Sequence, residues 1–376
     1  MGSIEKKIFK DSKRIIVKVG SSLILNQKNG EINKDIIGFI VDDIKNLMSR
    51  GKEIMLVSSG ALSLGKNKLD LKEKILKMSE KQAAASVGQI ILINAWQKVF
   101  FKNKVQCAQI LLTHLDAEIR KSSINARNTI ESLIKLKTIA IINENDTVAT
   151  KELRYGDNDQ LAARVAQITS SDLCILLSDV DGLYDENPLK NPDAKLIKKI
   201  YKIDKYIERI SDNTVSSVSV GGMETKIKAA KIALASGCNM VITNGYERES
   251  ILSLEKGKKA SWFIANTSPL TARKKWISSQ MSAKASIVID KGAASALKQG
   301  ASLLPAGILS VKGFFDKGDV INVIDKDENI VSVGLSSYSS EDVKLIAGAK
   351  SNEIEKLLGY HNKDVIVHRD DMVIRN

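Results

Sequence analysis

The chain has 376 residues, of which 43% are hydrophobic and 27% are charged, and these proportions are typical of a globular protein with a full apolar core. No apolar run approaches the roughly 18 residues that a membrane span needs. The polar start of the chain lacks the apolar segment of a signal peptide, so we expect a soluble, cytoplasmic protein with no membrane partner. Its three cysteines lie far apart and it has only three histidines, which favours reduced, buried thiols and argues against a zinc site.

The net charge of +13 is distributed unevenly along the chain. Residues 277–376 contain 12 Lys and Arg against 13 Asp and Glu, a net charge of −1, whereas residues 1–276 carry a net charge of +14. A basic surplus of this kind fits a nucleic-acid partner, an anionic substrate or a lysine-rich solvated surface. The lysines are scattered along predicted helices without interleaved aromatic residues, so we favour the solvated surface for most of them.

Apolar runs alternate with amphipathic stretches through the first part of the chain. Several runs are apolar on both faces, as strands of a parallel sheet covered on both sides must be. The stretches between them have helical periodicity, for example over 33–51 and 223–237. This alternation predicts a doubly wound α/β sandwich, in which ligands bind beyond the carboxyl ends of the strands. The predicted strands are 14–20, 53–60, 105–112, 139–145, 172–179 and 239–245.

One predicted strand end resembles a nucleotide-binding P-loop. The string from Gly60 to Lys66 reads G-x-x-x-x-G-K, but Asn67 stands where the P-loop needs a Ser or Thr hydroxyl for magnesium. A helix that begins near Ala61 would also carry the second glycine and Lys66 away from the strand end. We therefore interpret 59–61 as a tight strand-to-helix turn and reject the P-loop.

Two lysines stand next to predicted anion-binding turns. Lys18 is followed by Gly20, whose flexible backbone can present N–H groups to an anion. Gly221 and Gly222 precede a predicted helix that carries Lys226 in its early turns, and helix N-termini attract phosphate. An ordinary surface lysine and an ordinary capped helix are the alternative interpretations of these two fragments.

The densest group of polar residues lies in two neighbouring pieces, 143–150 and 155–166. Asn and Asp are common in turns and helix caps, so either piece alone is explained by capping. Both pieces fall at the predicted ligand edge of the sheet, and together they indicate a binding site. Their polar residues are Asn143, Asn145, Asp146, Asp157, Asn158 and Asp159.

The pattern of the chain changes after residue 266. Pro269 and the basic, small and polar residues around it suggest a linker. Short β-branched runs bounded by Gly and Asp follow, and they are typical of a small β-rich barrel. We therefore predict a first domain over 1–266, a linker over 267–283 and a second domain over 284–376.

These motifs resemble those of the glutamate 5-kinases, a group within the amino-acid kinase family, and the resemblance covers essentially the whole chain. The pieces "INENDTVAT" and "GDND" are highly specific for that group, whereas the glycine-rich pieces fit any amino-acid kinase. "GASLLPAGILSVKG" and "GYHNKDVIVHRDDMV" look like the PUA domain of bacterial members. The resemblance implies an amino-acid kinase-like αβα sandwich with a mainly parallel sheet and a small, β-rich C-terminal PUA domain. The remaining shared pieces are "VKVGSS", "VSSGA", "GDNDQLAA", "LLSDVDGLYDENP" and "VGGMETK".

The resemblance also implies a reaction, in which ATP phosphorylates the side-chain carboxylate of L-glutamate as the first step toward proline. It implies Mg²⁺ that is held mostly by phosphate and water, and no residue is assigned as its ligand. It also implies feedback inhibition by proline and a homo-oligomer, either a dimer or a tetramer. One alternative keeps the fold but changes the substrate to acetylglutamate, aspartate, carbamate or a nucleoside monophosphate, and the specific motif pair weighs against it. Another is an RNA-binding accessory protein, and the net charge of −1 in the C-terminal part weighs against that.

Residue roles carried over from the resemblance fall into three groups. Lys18 and Lys226 flank the transferred phosphoryl group, and Asp157 or Asp159 orients the lysines or engages the metal, with Asp159 favoured as the organiser. The glutamate group is Ser59, Asn143, Asp146 and Asn158, of which Asp146 suits the substrate ammonium and Ser59 and Asn158 suit its oxygens. The ATP group is Lys18, Gly20, Ser178, Asp179, Val220, Gly221, Gly222, Met223, Glu224, Thr225 and Lys226.

The sequence departs from the family pattern at two positions on the expected nucleotide side. Ser178 and Val220 stand where the family usually has threonine. Both changes could tune nucleotide contacts, and neither removes a charge that the reaction needs.

Overall fold

The computed structural model describes residues 3–26, 29–71, 75–148, 158–188, 190–212, 222–279, 285–360 and 363–375. The chain divides into two compact units, Met1–Pro269 and Leu270–Asn376. Within the described ranges, no helix is long and apolar enough to cross a membrane.

The first unit is built on an eight-stranded sheet, with strands in the order β3-β4-β2-β1-β5-β7-β8-β6. Every pair from β3 to β7 is parallel, and β8 pairs antiparallel with β7. The six strands predicted from the sequence are confirmed; β6 and β8 are too short to show a periodic pattern. The bounds are β1 (Arg14–Val19), β2 (Glu53–Ser58), β3 (Gln106–Leu112), β4 (Thr138–Glu144), β5 (Leu173–Ser178), β6 (Lys199–Ile200), β7 (Asn239–Asn244) and β8 (Ser261–Phe263).

Helices cover both faces of this sheet, because side chains of one strand point alternately to the two sides. Along β1, Ile15 and Val17 belong to the apolar core on one face, and Ile16 belongs to the core on the other. The predicted doubly wound αβα sandwich is therefore confirmed. The helices are α1 (Ile4–Asp11), α2 (Ser21–Ile24), α3 (Lys34–Ser49), α4 (Ala61–Lys68), α5 (Met78–Lys102), α6 (His114–Glu118), α7 (Arg120–Lys135), α8 (Asn158–Thr169), α9 (Lys205–Asp212) and α10 (Met223–Ala235).

The second unit contains a five-stranded sheet in the order β10-β9-β11-β12-β13, as expected for a small β-rich domain. Its strands are β9 (Ser286–Ile289), β10 (Ile308–Lys312), β11 (Val320–Ile324), β12 (Ile330–Leu335) and β13 (Met372–Ile374). Its helices are α11 (Pro269–Ser279), α12 (Lys291–Lys298), α13 (Ser340–Ile346) and α14 (Ile354–Leu358), of which α11 begins one residue before the division between the units.

Helix α11 lies inside the segment 267–283, where we expected a linker. Pro269 occupies the first position of the helix, where its fixed φ and missing N–H are tolerated. Ile277 is fully buried and packs with Val333 and Leu335 of β12. Ile277 is the one buried residue of α11, and a single buried residue leaves no periodic apolar pattern in the sequence.

The P-loop-like string is explained by the packing of α4 on α5. Gly60 has a φ of +111°, which glycine adopts without strain, and α4 begins at Ala61 as predicted. A Cβ on Gly65 would lie 1.6 Å from the carbonyl oxygen of Ala84, and one on Gly88 would lie 1.8 Å from that of Ala61. The second glycine of the string therefore allows two helix backbones to approach closely.

We expect Gly65→Ala to lower the free energy of unfolding of the first unit by about 1–3 kcal/mol or more, because overpacking usually costs that amount. The cause is the clash of the new methyl group with backbone, which cannot rotate away. Gly38→Ala is the matched control, because no atom lies within 4 Å of a Cβ built on Gly38 in α3. Urea unfolding followed by far-UV circular dichroism measures both, and equal midpoints for the two variants would contradict the packing argument.

Candidate active site

The carboxyl ends of the parallel strands bring the predicted site residues to one edge of the sheet. Lys18 is the fifth of the six residues of β1, Ser59 follows β2, and Ser178 ends β5. Asn158 is the first residue of α8, and Lys226 is the fourth residue of α10. Residues far apart in the sequence therefore meet in space.

Lys18 and Lys226 contact the same carboxylate. The Lys18 Nζ lies 2.5 Å from Asp159 Oδ1, and the Lys226 Nζ lies 3.1 Å from Asp159 Oδ2. The side chains of both lysines are 8% exposed and that of Asp159 is 2% exposed. The Thr225 hydroxyl also donates to Asp159 Oδ2, at 3.2 Å. We call Lys18, Asp159 and Lys226 the charge triad.

The charge triad keeps Asp159 ionised. Burial alone would raise the pKa of Asp159, but the two ammonium groups outweigh that effect and hold the pKa well below its ordinary value. Each carboxylate oxygen faces one ammonium group. This geometry supports Asp159 as the residue that orients the lysines.

Asn158 sits at the centre of a second polar group, beside the charge triad. Its Nδ2, which carries two hydrogens, lies within hydrogen-bond distance of three acceptors, namely the Ser58 carbonyl oxygen at 3.1 Å, Ser59 Oγ at 3.1 Å and Asn143 Oδ1 at 2.7 Å. Its Oδ1 is buried and has no hydrogen-bond partner among the described residues. We expected Asn158 to donate to substrate oxygens, but its amide hydrogens are already used within the protein. Asn158 instead offers an acceptor.

A recess opens between this polar group and the start of α4. Ser59, Gly60, Asn143, Asp146 and Asn158 line it, and we call it the α4 recess. The first turn of α4 has backbone N–H groups without helical partners, so an anion is favoured there. The recess therefore combines an anion-binding end with carboxylate and amide acceptors, which is the polarity that the α-carboxylate and α-ammonium of an amino acid require.

Asp146 contributes a titratable group to the α4 recess. Burial raises the pKa of Asp146 from 3.8 to about 6. The carboxyl is ionised above that pH, and a cation bound beside it would favour the ionised form further.

The expected nucleotide side is described only in part. The Ser178 hydroxyl donates to Asp179 Oδ1 at 3.0 Å at the end of β5. Gly222 precedes α10, whose first turn contains Met223, Glu224 and Thr225. Three residues assigned from the sequence, Asp157, Val220 and Gly221, lie outside the described residues.

Gly20 differs from the expectation. Its N–H donates to the Leu177 carbonyl oxygen at 3.1 Å, so the donor that we expected for an anion is used between β1 and β5. Its φ of −68° is open to any residue. A Cβ on Gly20 would lie 3.3 Å from the same oxygen, so the small residue permits a close backbone approach.

Two residues of α5 that we did not predict, Gln89 and Trp96, support the site. Gln89 accepts a hydrogen bond from Asn143 Nδ2 at 2.6 Å, and Trp96 donates to Ser58 Oγ at 2.9 Å. The spacing of seven residues places both on one helix face. That spacing is the only signal in the sequence, and apolar core residues produce it equally.

Nothing among the described residues forms a protein-held metal site. No group of three or more His, Cys, Asp or Glu in those ranges could hold a metal ion.

Comparison with known proteins gives the family. Residues 13–244 match the amino acid kinase family, and residues 285–358 match the PUA domain. The chain is 46% identical to a glutamate 5-kinase of Paramagnetospirillum magneticum over 96% of this chain and 98% of that protein. It is 46% identical to a glutamate 5-kinase of Agrobacterium fabrum over 99% of this chain and 95% of that protein. It is 49% identical to one of Pelagibacter ubique over 97% of this chain and 99% of that protein.

A solved structure of UMP kinase from Ureaplasma parvum aligns with 67% of this chain and 99% of that chain, at 18% identity and a TM-score of 0.48. At such low sequence identity the similarity says nothing about the substrate. The full-length relatives and both family matches are decisive: the chain belongs to the amino acid kinase family and, within it, to the glutamate 5-kinases.

Proposed function

We propose that this protein transfers the γ-phosphoryl group of ATP to the side-chain carboxylate of L-glutamate, giving L-glutamyl 5-phosphate and ADP. The observation that carries the proposal is the charge triad beside the α4 recess. It is a cationic centre next to a pocket that offers an anion-binding end and acceptors for an ammonium group. The relatives that cover nearly the whole chain share this activity in their name.

The reaction needs no general base. The glutamate side chain has a pKa of about 4.3, so the nucleophile is already ionised at neutral pH. The obstacle is repulsion, because a carboxylate must approach the polyphosphate of ATP. Two like charges 4 Å apart repel by about 4 kcal/mol at an effective dielectric constant of 20. The catalyst must therefore supply positive charge at the point of transfer.

Lys18 and Lys226 supply that charge in the proposed mechanism. In a loose phosphoryl-transfer transition state the negative charge spreads over the equatorial oxygens of the moving group. Ammonium groups that are already oriented stabilise it without reorganising solvent. Asp159 holds them in place, since it contacts both. With two ammonium groups and one carboxylate, the charge triad keeps a net charge of +1 for the substrate.

The α4 recess binds glutamate in this proposal. The N-terminus of α4 takes the α-carboxylate, while Asp146 and the Asn158 Oδ1 accept from the α-ammonium. Ser59 also lines the recess and is hydrogen-bonded to Asn158. Proline has a carboxylate and an ammonium in the same relation, so we propose that it inhibits by occupying the recess.

ATP lies on the β5 and β7 side of β1 in this proposal. Ser178, Asp179 and the first turn of α10 contact it, and Mg²⁺ enters as part of the MgATP substrate. A cytoplasmic location and a homo-oligomer, dimer or tetramer, stay predictions.

A substrate panel tests the function. We expect ADP release with L-glutamate and less than about 1% of that rate with N-acetylglutamate, aspartate, carbamate or UMP, because the recess offers both an anion site and acceptors for a free ammonium. The measurement is coupled ADP release at saturating MgATP with each compound. Faster turnover of any other acceptor than of glutamate would overturn the proposal.

We expect Lys226→Met to lower kcat about 100-fold or more while changing the glutamate KM less than about threefold, because a contact made in the transition state affects the chemical step. Lys231→Ala is the control, since Lys231 lies on the same helix and is about half exposed, with its Nζ 2.5 Å from Glu208. Steady-state kinetics of both variants decide the role. A raised KM with normal kcat would assign Lys226 to substrate binding instead.

We expect the kcat/KM for glutamate to fall as the pH falls through about 6, the raised pKa of Asp146, because protonation removes the charge that pairs with the substrate ammonium. The pH profile of kcat/KM at saturating MgATP reports groups of the free enzyme. In Asp146→Asn, kcat/KM should be lower at pH 8 and this inflection should be absent. Persistence of the inflection in Asp146→Asn would assign it to another group.

A further inference from the structure

Helix α5 lies behind the α4 recess, and two of its side chains contact residues at or beside the recess. Gln89 Oε1 accepts from Asn143 Nδ2 at 2.6 Å, and Trp96 Nε1 donates to Ser58 Oγ at 2.9 Å. The neighbouring Gly88 is the point at which α5 packs against the first turn of α4. The same close crossing therefore sets the position of Gln89 and that of the helix start that opens on the recess.

The hydrogen bonds between Ser58 and Gln89 have only one consistent direction. The Ser58 carbonyl oxygen can only accept, so Asn158 must turn its amide nitrogen toward it. That nitrogen also donates to Asn143, which must therefore present its Oδ1 and turn its own nitrogen away. The Gln89 Oε1 accepts a hydrogen bond from that nitrogen. This chain of hydrogen bonds, from the Ser58 carbonyl through Asn158 and Asn143 to Gln89, is called the relay, and it ends at an acceptor on α5.

The direction of this relay decides what the recess offers to a ligand. Asn158 is 4% exposed, its nitrogen is used by the relay, and its Oδ1 has no partner among the described residues. A buried acceptor without a partner favours a ligand that donates there. Asp146, on the same recess, is also an acceptor when ionised. A substrate ammonium satisfies both groups, whereas a desamino dicarboxylate satisfies neither.

We propose that Gln89 is a positioning residue that makes the recess selective for an ammonium-bearing dicarboxylate. Without an acceptor at position 89, the Asn143 nitrogen loses its partner. Asn143 then turns to find another, and Asn158 Nδ2 loses its shortest contact, the 2.7 Å hydrogen bond to Asn143 Oδ1. The Asn158 side chain is then held only by the longer bonds to Ser58 and Ser59, so its position at the recess is less well fixed. This inference rests on the proposed function and adds a residue that touches no substrate.

The test compares three variants of α5 in the full-length protein. Gln89→Leu removes the acceptor, Gln89→Glu keeps an acceptor of the same length, and Gln97→Leu is the matched control at an exposed glutamine on the same helix. Three quantities are measured for each variant, namely the KM and kcat for glutamate and the inhibition constant of glutarate, which lacks the ammonium group. Gln89→Met serves as a second acceptor-free variant if Gln89→Leu does not fold.

We expect Gln89→Leu to raise the glutamate KM about tenfold, the effect of losing one hydrogen bond to a charged group, with kcat changed less than about threefold. The glutarate inhibition constant should stay within about threefold of the wild-type value, because no ammonium is involved. Gln89→Glu should bring the glutamate KM back to within about threefold, and Gln97→Leu should match the wild type.

Three outcomes overturn the inference while leaving the proposed function intact: a wild-type glutamate KM in Gln89→Leu, an equal loss in Gln89→Glu, or a glutarate inhibition constant that rises together with the glutamate KM. The last outcome would indicate a general distortion of the recess. Failure of the proposed function is distinguishable, because the wild-type protein would then not phosphorylate glutamate at all.

Discussion

The carboxylate of Asp159 allows two ammonium groups to lie together where water is scarce. Buried charges lose several kcal/mol of hydration each, and two like charges in contact would repel strongly. Asp159 offsets both costs at once, because each of its oxygens faces one lysine. Its pKa falls well below the ordinary value for the same reason. The position of α8 between β1 and α10 thus fixes the relative position of Lys18 and Lys226.

In the proposed mechanism, the order of the strands lets one cationic centre serve two substrates. β1 lies between β2 and β5, so the residues that follow β2 and β4 surround the α4 recess and those that follow β5 face the other side. Lys18 stands on the strand that divides the two. In the proposed mechanism a phosphoryl group that moves between the two sides passes the charge triad, which is the arrangement expected at the switch point of a doubly wound sheet.

The sequence was enough to predict the strands, the main helices and the meeting of Lys18 with Lys226. The last could be predicted because the carboxyl ends of parallel strands lie at one edge of the sheet for any set of side chains. The direction of the Asn158 amide could not, since it depends on the Ser58 carbonyl, 100 positions earlier. The use of the Gly20 N–H by Leu177 is equally non-local. Gln89 was missed because a polar residue on a long helix is expected to face solvent, and only the close packing of α4 and α5 brings it to the recess.

Lys18 is locked into the sheet from both sides, paired with Val57 of β2 and Leu176 of β5. Its backbone cannot shift without breaking two ladders, so in the proposed mechanism the phosphoryl group comes to the lysine. In the proposed mechanism, transfer and the choice of acceptor meet at α8, where Asn158 lines the α4 recess and the next residue, Asp159, contacts both lysines. An engineer who wanted a new acceptor could redesign the ends of β2 and β4 but would have to keep the start of α8 in place.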